Sequence, residues 1–181
     1  MTRADHDPLW FGPAPGTEPR GRFDDPGDPT DRHPAEDAAG FRVCYLSLSR
    51  EGAFAESLLR RPAVRLLSRA TVDARALATI EVVRTLRLAA LNGPGLVVAG
   101  ATAAVTHGAH GTARRWSRAL WAHPDGVDGI AYRCRLDDDE IAIALFDRAH
   151  DALATRVHHG VRADRGWFGR TLDRYGIALD D

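Results

Sequence analysis

Four side chains, Arg22, Tyr45, Glu56 and Cys134, are of types that could serve chemistry on a charged small molecule. A guanidinium grips phosphate oxygens through a planar pair of N–H donors, a geometry an ammonium lacks. A carboxylate can stabilise a cation that develops beside it. A tyrosine offers an aromatic face and a hydroxyl donor. A cysteine is a weak donor and becomes a nucleophile only as thiolate. Each has a plainer use: Arg22 as a solvated loop arginine, Glu56 as a helix-surface carboxylate, Tyr45 as core, Cys134 as an inert buried thiol. All 24 basic residues are arginine. No lysine can form a Schiff base or clamp a phosphate, so any anion contact must come from Arg, His or backbone.

Other clusters point less clearly to chemistry. His107 and His110 are three apart, but glycines surround them and no carboxylates follow to complete a metal site. His158 and His159 are adjacent, so on a strand their rings point apart. Asp137 to Glu140 lacks the alternating ligands and glycine of a calcium loop and reads as a solvated turn. Cys44 and Cys134 form no CxxC and no zinc spacing, so neither a disulfide framework nor a metal is expected.

The chain has 181 residues, enough for one domain with a core. It is 44% hydrophobic and 27% charged, as in ordinary globular proteins. A net charge of -1 argues against direct nucleic-acid binding. The first residues lack the apolar stretch of a signal peptide, and the apolar run near Gly95–Val105 is too short to span a bilayer. A cytoplasmic protein with no membrane contact is expected.

These residues must be positioned by a mixture of strands and helices. Residues 12–40 are rich in Gly, Pro and Asp and read as a flexible loop, its acidic part solvated and able to act as a lid. Phe41–Leu48 alternates as a strand, with Val43 and Tyr45 on one face and Cys44, Leu46 and Leu48 on the other. Ser49 then caps a helix over Glu51–Arg60, with Phe54, Ala55, Leu58 and Leu59 as its apolar stripe and Glu56 off it. Short strands are predicted at Val64–Leu67, Thr79–Val83 and Leu86–Leu88, and a short helix within Gly95–Val105. Thr112 is predicted to cap a helix over Ala113–Ala122. Ile130, Tyr132 and Cys134 alternate on a strand, Ile141–Phe146 forms another, and a final helix runs over Asp164–Tyr175 and ends at Gly176. The class is α+β in a single domain, a mixed sheet with flanking helices.

Three segments occur in a telling order. They are Pro8-Leu9-Trp10-Phe11-Gly12 with Gly21-Arg22-Phe23-Asp24, then Tyr45-Leu46 with Ala53-Phe54-Ala55-Glu56, then Trp116 to His123 with Asp128-Gly129-Ile130-Ala131-Tyr132-Arg133-Cys134-Arg135. The succession resembles the RES domain family, from about residue 8 to the C-terminus. The resemblance implies a fold like that of ADP-ribosyltransferases and a toxin that degrades NAD, with inorganic phosphate or water as acceptor. It also implies silencing by an antitoxin of the Xre helix-turn-helix type. NAD would be the substrate, with no separate cofactor; a homo-oligomer stays open. By position, Arg22 would hold phosphate and Glu56 would stabilise the ribosyl cation, while Tyr45 and Cys134 would shape the nicotinamide–ribose pocket. Two departures stand out. Cys134 falls where the family has a serine. The chain is also expected to lack the family's first strand and its arginine, through a start placed too late or a truncated gene, with Arg3 as a substitute the less favoured alternative. These departures keep two alternatives open: a catalytically impaired relative that binds an antitoxin and regulates, and a protein ADP-ribosyltransferase.

Overall fold

Strand alternation is the first feature that can be checked. In β2 (Val43–Ser47), Val43 and Tyr45 pack into one apolar cluster and Cys44 and Leu46 into another. The structure is a computed structural model that describes residues 1–15, 17–27, 40–59 and 65–180. In chain order the strands are β1 (Thr2–Arg3), β2, β3 (Leu66–Ser68), β4 (Arg75–Val82), β5 (Leu88–Leu91), β6 (Gly129–Arg133), β7 (Ile141–Phe146), β8 (Leu153–Gly160) and β9 (Ala178–Asp180). The helices are α1 (Arg50–Leu58), α2 (Arg69–Asp73), α3 (Pro94–Val98), α4 (Ala104–His107), α5 (His110–Trp121) and α6 (Arg165–Tyr175). The fold is a single α+β domain, as the residue pattern implies.

Three sheets organise it. A four-stranded sheet has the order β2-β7-β6-β5, with β5 parallel to β6 and the other pairs antiparallel. A three-stranded antiparallel sheet has the order β1-β4-β8, and β3 pairs with β9 in parallel. The four-stranded sheet is covered on both faces. Ala142, Ala144 and Phe146 of β7 join Ile130 and Tyr132 of β6 against Ala113 of α5. Ile143 and Leu145 turn the other way, toward Phe11 and Leu153. This two-sided burial explains why β7 reads as a continuous apolar run. A third cluster joins α1 to α6 through Phe54, Leu58, Trp167 and Phe168.

Helix ends follow local chemistry where a capping side chain exists. Ser49 accepts the Gly52 N–H at 2.9 Å, as expected of an N-cap. Asp164 does the same for Trp167 at 2.9 Å, and Gly176 ends α6 at φ +59°. Other expectations shift. Thr112 is not a cap: α5 starts at His110 after Ala109, and the Thr112 hydroxyl instead accepts from Arg115. The apolar run after Gly93 splits into α3 and α4, and Gly100 turns between them at φ +66°. β4 begins at Arg75, earlier than expected, and β5 ends at Leu91, later. β8 and β9 carry no alternation that would announce them. Both His158 and His159 lie on β8, opposite Ala78 and Leu77. Arg60 and Val64, parts of an expected helix and strand, lie outside the described residues.

Candidate functional site

The segment Gly21-Arg22-Phe23-Asp24 has a separate use for each residue. The Asp24 carboxylate accepts the backbone N–H groups of Arg20 (2.9 Å) and Gly21 (2.6 Å) and the Tyr45 hydroxyl (2.9 Å). Tyr45 in turn accepts the Phe23 N–H at 2.8 Å. Gly21 leaves no room for a side chain, since a Cβ there would collide with the Tyr45 hydroxyl and the Asp24 carboxylate. Phe23 is 0% exposed and packs on Tyr132 with ring centroids 4.8 Å apart. Arg22 alone leaves the turn, and its Nη1 donates to the Gly108 carbonyl at 2.7 Å, beside the start of α5.

One face of α5 clamps this segment. Arg114 donates to the carbonyls of Pro19 (3.0 Å) and Gly21 (3.1 Å), and Ser117 to that of Phe23 (2.7 Å). Arg118 places Nη1 on both Asp25 oxygens, at 2.7 and 2.9 Å. Spacings of three and four put these side chains on one side of the helix. The expectation of a solvated acidic loop is therefore corrected at its start. Asp24 and Asp25 are 4% and 8% exposed, because arginine, tyrosine and backbone donors replace water around them. Gly16 and residues 28–39, the rest of the expected loop and lid, lie outside the described residues.

The second part of the site forms where α1 meets the end of β6. The Glu56 carboxylate accepts the Arg135 N–H at 2.9 Å and is otherwise exposed. Cys134, the neighbour of Arg135, is 0% exposed. Burial above all, then Glu56, Glu140 and Asp137, pushes its thiol up to about 12, so it stays protonated at neutral pH. It is thus no thiolate nucleophile. The turn after it is corrected too: Asp137 and Glu140 are not simply solvated. Asp137 accepts from Arg174 (2.9 Å) and Tyr175 (2.8 Å), and Glu140 from Arg174 (3.2 Å) and the Ser49 hydroxyl.

The two parts share one electrostatic field. Burial lowers the Arg22 guanidinium from the usual arginine value; Tyr132, Glu56 and Tyr45 act against that, and Arg135 adds to it. His110, at the start of α5, is lowered by partial burial and then by Arg22, Arg114 and Arg135. The contacts link all four expected site residues: Tyr45 accepts from Phe23 beside Arg22, Phe23 packs on Tyr132 of β6, and Glu56 accepts the Arg135 N–H next to Cys134. Arg114, Arg118, Arg135, His110 and Tyr132 join the region without having been singled out as site residues by type or spacing. The spacing of 114, 117 and 118 gives one helix face but does not say what that face meets. His107 and His110 do not act as a pair: His107 turns back on Thr106 and Ala103. Arg3 pairs with Asp5 at 3.1 Å. Among the described residues no three His, Cys, Asp or Glu side chains converge as metal ligands, and no helix is long and apolar enough to cross a membrane.

A curated protein of Sinorhizobium fredii (strain NBRC 101917 / NGR234), "Probable toxin y4kH", is 41% identical over 103 residues, covering 56% of this chain and 80% of that one. No solved structure matches this chain. Residues 2–169 match the RES domain, and the chain therefore belongs to the RES domain family.

Proposed function

We propose that this chain is a toxin that breaks the nicotinamide–ribose bond of NAD. The observation that carries the reading is the convergence of a half-buried guanidinium, Arg22, and an exposed carboxylate, Glu56, on the buried Tyr132: Phe23, next to Arg22, packs on its ring at 4.8 Å, and Glu56 meets the backbone of Arg135, three residues further along the chain. NAD needs both charges: its pyrophosphate is anionic, and its ribose carbon becomes cationic as the bond breaks. In this reading Arg22 holds a phosphate of NAD. The bond between the ribose carbon and the ring nitrogen breaks, and nicotinamide leaves with the electron pair, neutralising its own ring. Glu56 stabilises the ribosyl cation left behind. An oxygen of inorganic phosphate, or of water, bonds to that carbon and gives an ADP-ribose product. Tyr45 packs its ring at the wall of the pocket, since its hydroxyl is already used within the protein. An antitoxin of the Xre type as partner, NAD in the cytoplasm as target and a fold like that of ADP-ribosyltransferases belong to the same reading, with the family and the relative's name as support.

Cys134 favours a second reading, a slow or inactive relative kept for antitoxin binding. A buried thiol is larger than the family's serine and a weaker donor. NAD turnover by the purified chain, with and without inorganic phosphate, tests the first reading beside Glu56→Ala and Cys134→Ser. Phosphate-dependent loss of NAD that disappears in Glu56→Ala supports a phosphorylase. A folded chain inert toward NAD, in which Cys134→Ser restores turnover, supports the second reading. Label appearing on protein and not on a free product would mean a protein ADP-ribosyltransferase.

A further inference from the structure

Tyr132 is a buried polar side chain of this region with a donor left over. It is 4% exposed, and Phe23 fixes its ring at 4.8 Å. Buried tyrosine hydroxyls normally find a partner, yet among the described residues no hydrogen bond reaches this one. The hydroxyl is also not sealed off, because the fully enclosed, unpartnered side-chain atom among the described residues is Arg50 Nε. It therefore keeps some contact with solvent. Tyr45 is the opposite case: its hydroxyl both accepts, from the Phe23 N–H, and donates, to Asp24.

The surroundings of Tyr132 define what would fit. Apart from burial, the groups that act on it are first Glu56, then the Cys134 thiol, then Arg22. Burial and Glu56 raise the phenol well above its usual value, so it remains a donor and does not act as a base. A phosphate oxygen beside Glu56 would be repelled by the carboxylate. A sugar hydroxyl would not, because it can accept from the phenol while donating to the carboxylate.

We infer that Tyr132 is a substrate-binding residue whose hydroxyl donates to a ribose hydroxyl on the nicotinamide side, the same sugar that faces Glu56. The inference rests on the NAD reading and adds to it the group that orients the sugar. It also divides the two tyrosines, with Tyr45 holding the protein and Tyr132 holding the ligand.

The test uses the full chain as wild type, Tyr132→Phe and Tyr45→Phe. It measures thermal unfolding, NAD turnover, and calorimetric binding of ADP-ribose and of its analogue lacking the 2-hydroxyl or the 3-hydroxyl of the terminal ribose. Tyr132→Phe is expected to keep the melting temperature and to bind ADP-ribose about tenfold more weakly, the worth of one such hydrogen bond. Wild type is expected to disfavour one of the two deoxy analogues, and Tyr132→Phe to lose that preference. Tyr45→Phe is expected to lower the melting temperature. A folded Tyr132→Phe with unchanged ADP-ribose affinity would overturn the inference. So would a wild type indifferent to both sugar hydroxyls, which keeps the test valid if the variant fails to fold. Wild type that binds ADP-ribose but leaves NAD intact would remove the NAD-cleaving reading and leave this inference standing. Binding of neither ligand would remove both.

Discussion

Replacing Arg118 by Met should unlock the segment that carries Arg22. The Asp25 side chain is 5% exposed and meets Arg118 at 2.7 Å, while Arg118 itself is 31% exposed. Removing one partner of a buried pair strands the other charge, at about 3–5 kcal/mol when burial is complete. Arg118 is partly solvated, and Asp25 keeps the backbone N–H groups of Gly27 and Phe41, each at 3.2 Å. Both reduce the loss to about 2–3 kcal/mol. For a chain of this size that corresponds to a melting point lower by roughly 5–10 °C. Thermal unfolding followed by circular dichroism measures it, with Asp25→Asn and the double variant completing a cycle. The double variant should lie close to Arg118→Met or above it, because it leaves no unpaired charge. If the proposed NAD reading holds, NAD affinity should also fall in Arg118→Met, as Arg22 loses its anchored segment. A melting point within 1–2 °C of wild type (a loss under about 0.5 kcal/mol), or additive single effects, would refute this account of how the segment is held.

Three further outcomes follow from other contacts. Gly21→Ala should cost about 1–3 kcal/mol by overpacking, since its Cβ meets Tyr45 and Asp24; denaturant unfolding reads this, and an unchanged midpoint would mean the turn can shift freely. Asp128 accepts from Arg84 at 2.9 and 3.2 Å and from the Arg87 N–H at 2.8 Å, and the Arg84 bonds chiefly hold its carboxyl below the usual value. A lowered folded value adds stability above the unfolded value near 4 that is lost as pH falls through the folded one. The stability gap between wild type and Asp128→Asn should thus be widest near neutrality and close as pH falls through the lowered folded value; a gap constant with pH would contradict the pairing. Cys44 and Cys134 are both buried, and burial pushes each thiol up to about 12. A thiol reagent at pH 8 should label the native chain far more slowly than the denatured one; rapid native labelling would show that at least one of the two thiols is not enclosed.

Local chemistry alone determined much of this protein. The alternation of Val43, Cys44, Tyr45 and Leu46 foretold which residues enter which core, because a strand's side chains must take opposite faces. Ser49 and Gly176 mark helix ends because caps act within a few residues. The motif around Arg22 and the helix around Glu56 stood out as a candidate site only through the resemblance of their order to a family, since as single residues each has an ordinary surface reading. The tertiary structure decided how those runs meet. Glu56 finds the Arg135 N–H across 79 residues, and Asp25 finds Arg118 across 93. No periodicity encodes such a pairing. The strands β8 and β9 were hidden because their partners, β4 and β3, supply what their own pattern lacks. Burial of Asp24 and Asp25 was equally invisible: a carboxylate looks solvated in a sequence until the fold surrounds it with donors that replace water. Tyr45 and Tyr132 look alike as letters on alternating strands, and only the fold closes the hydroxyl of one and leaves the other open.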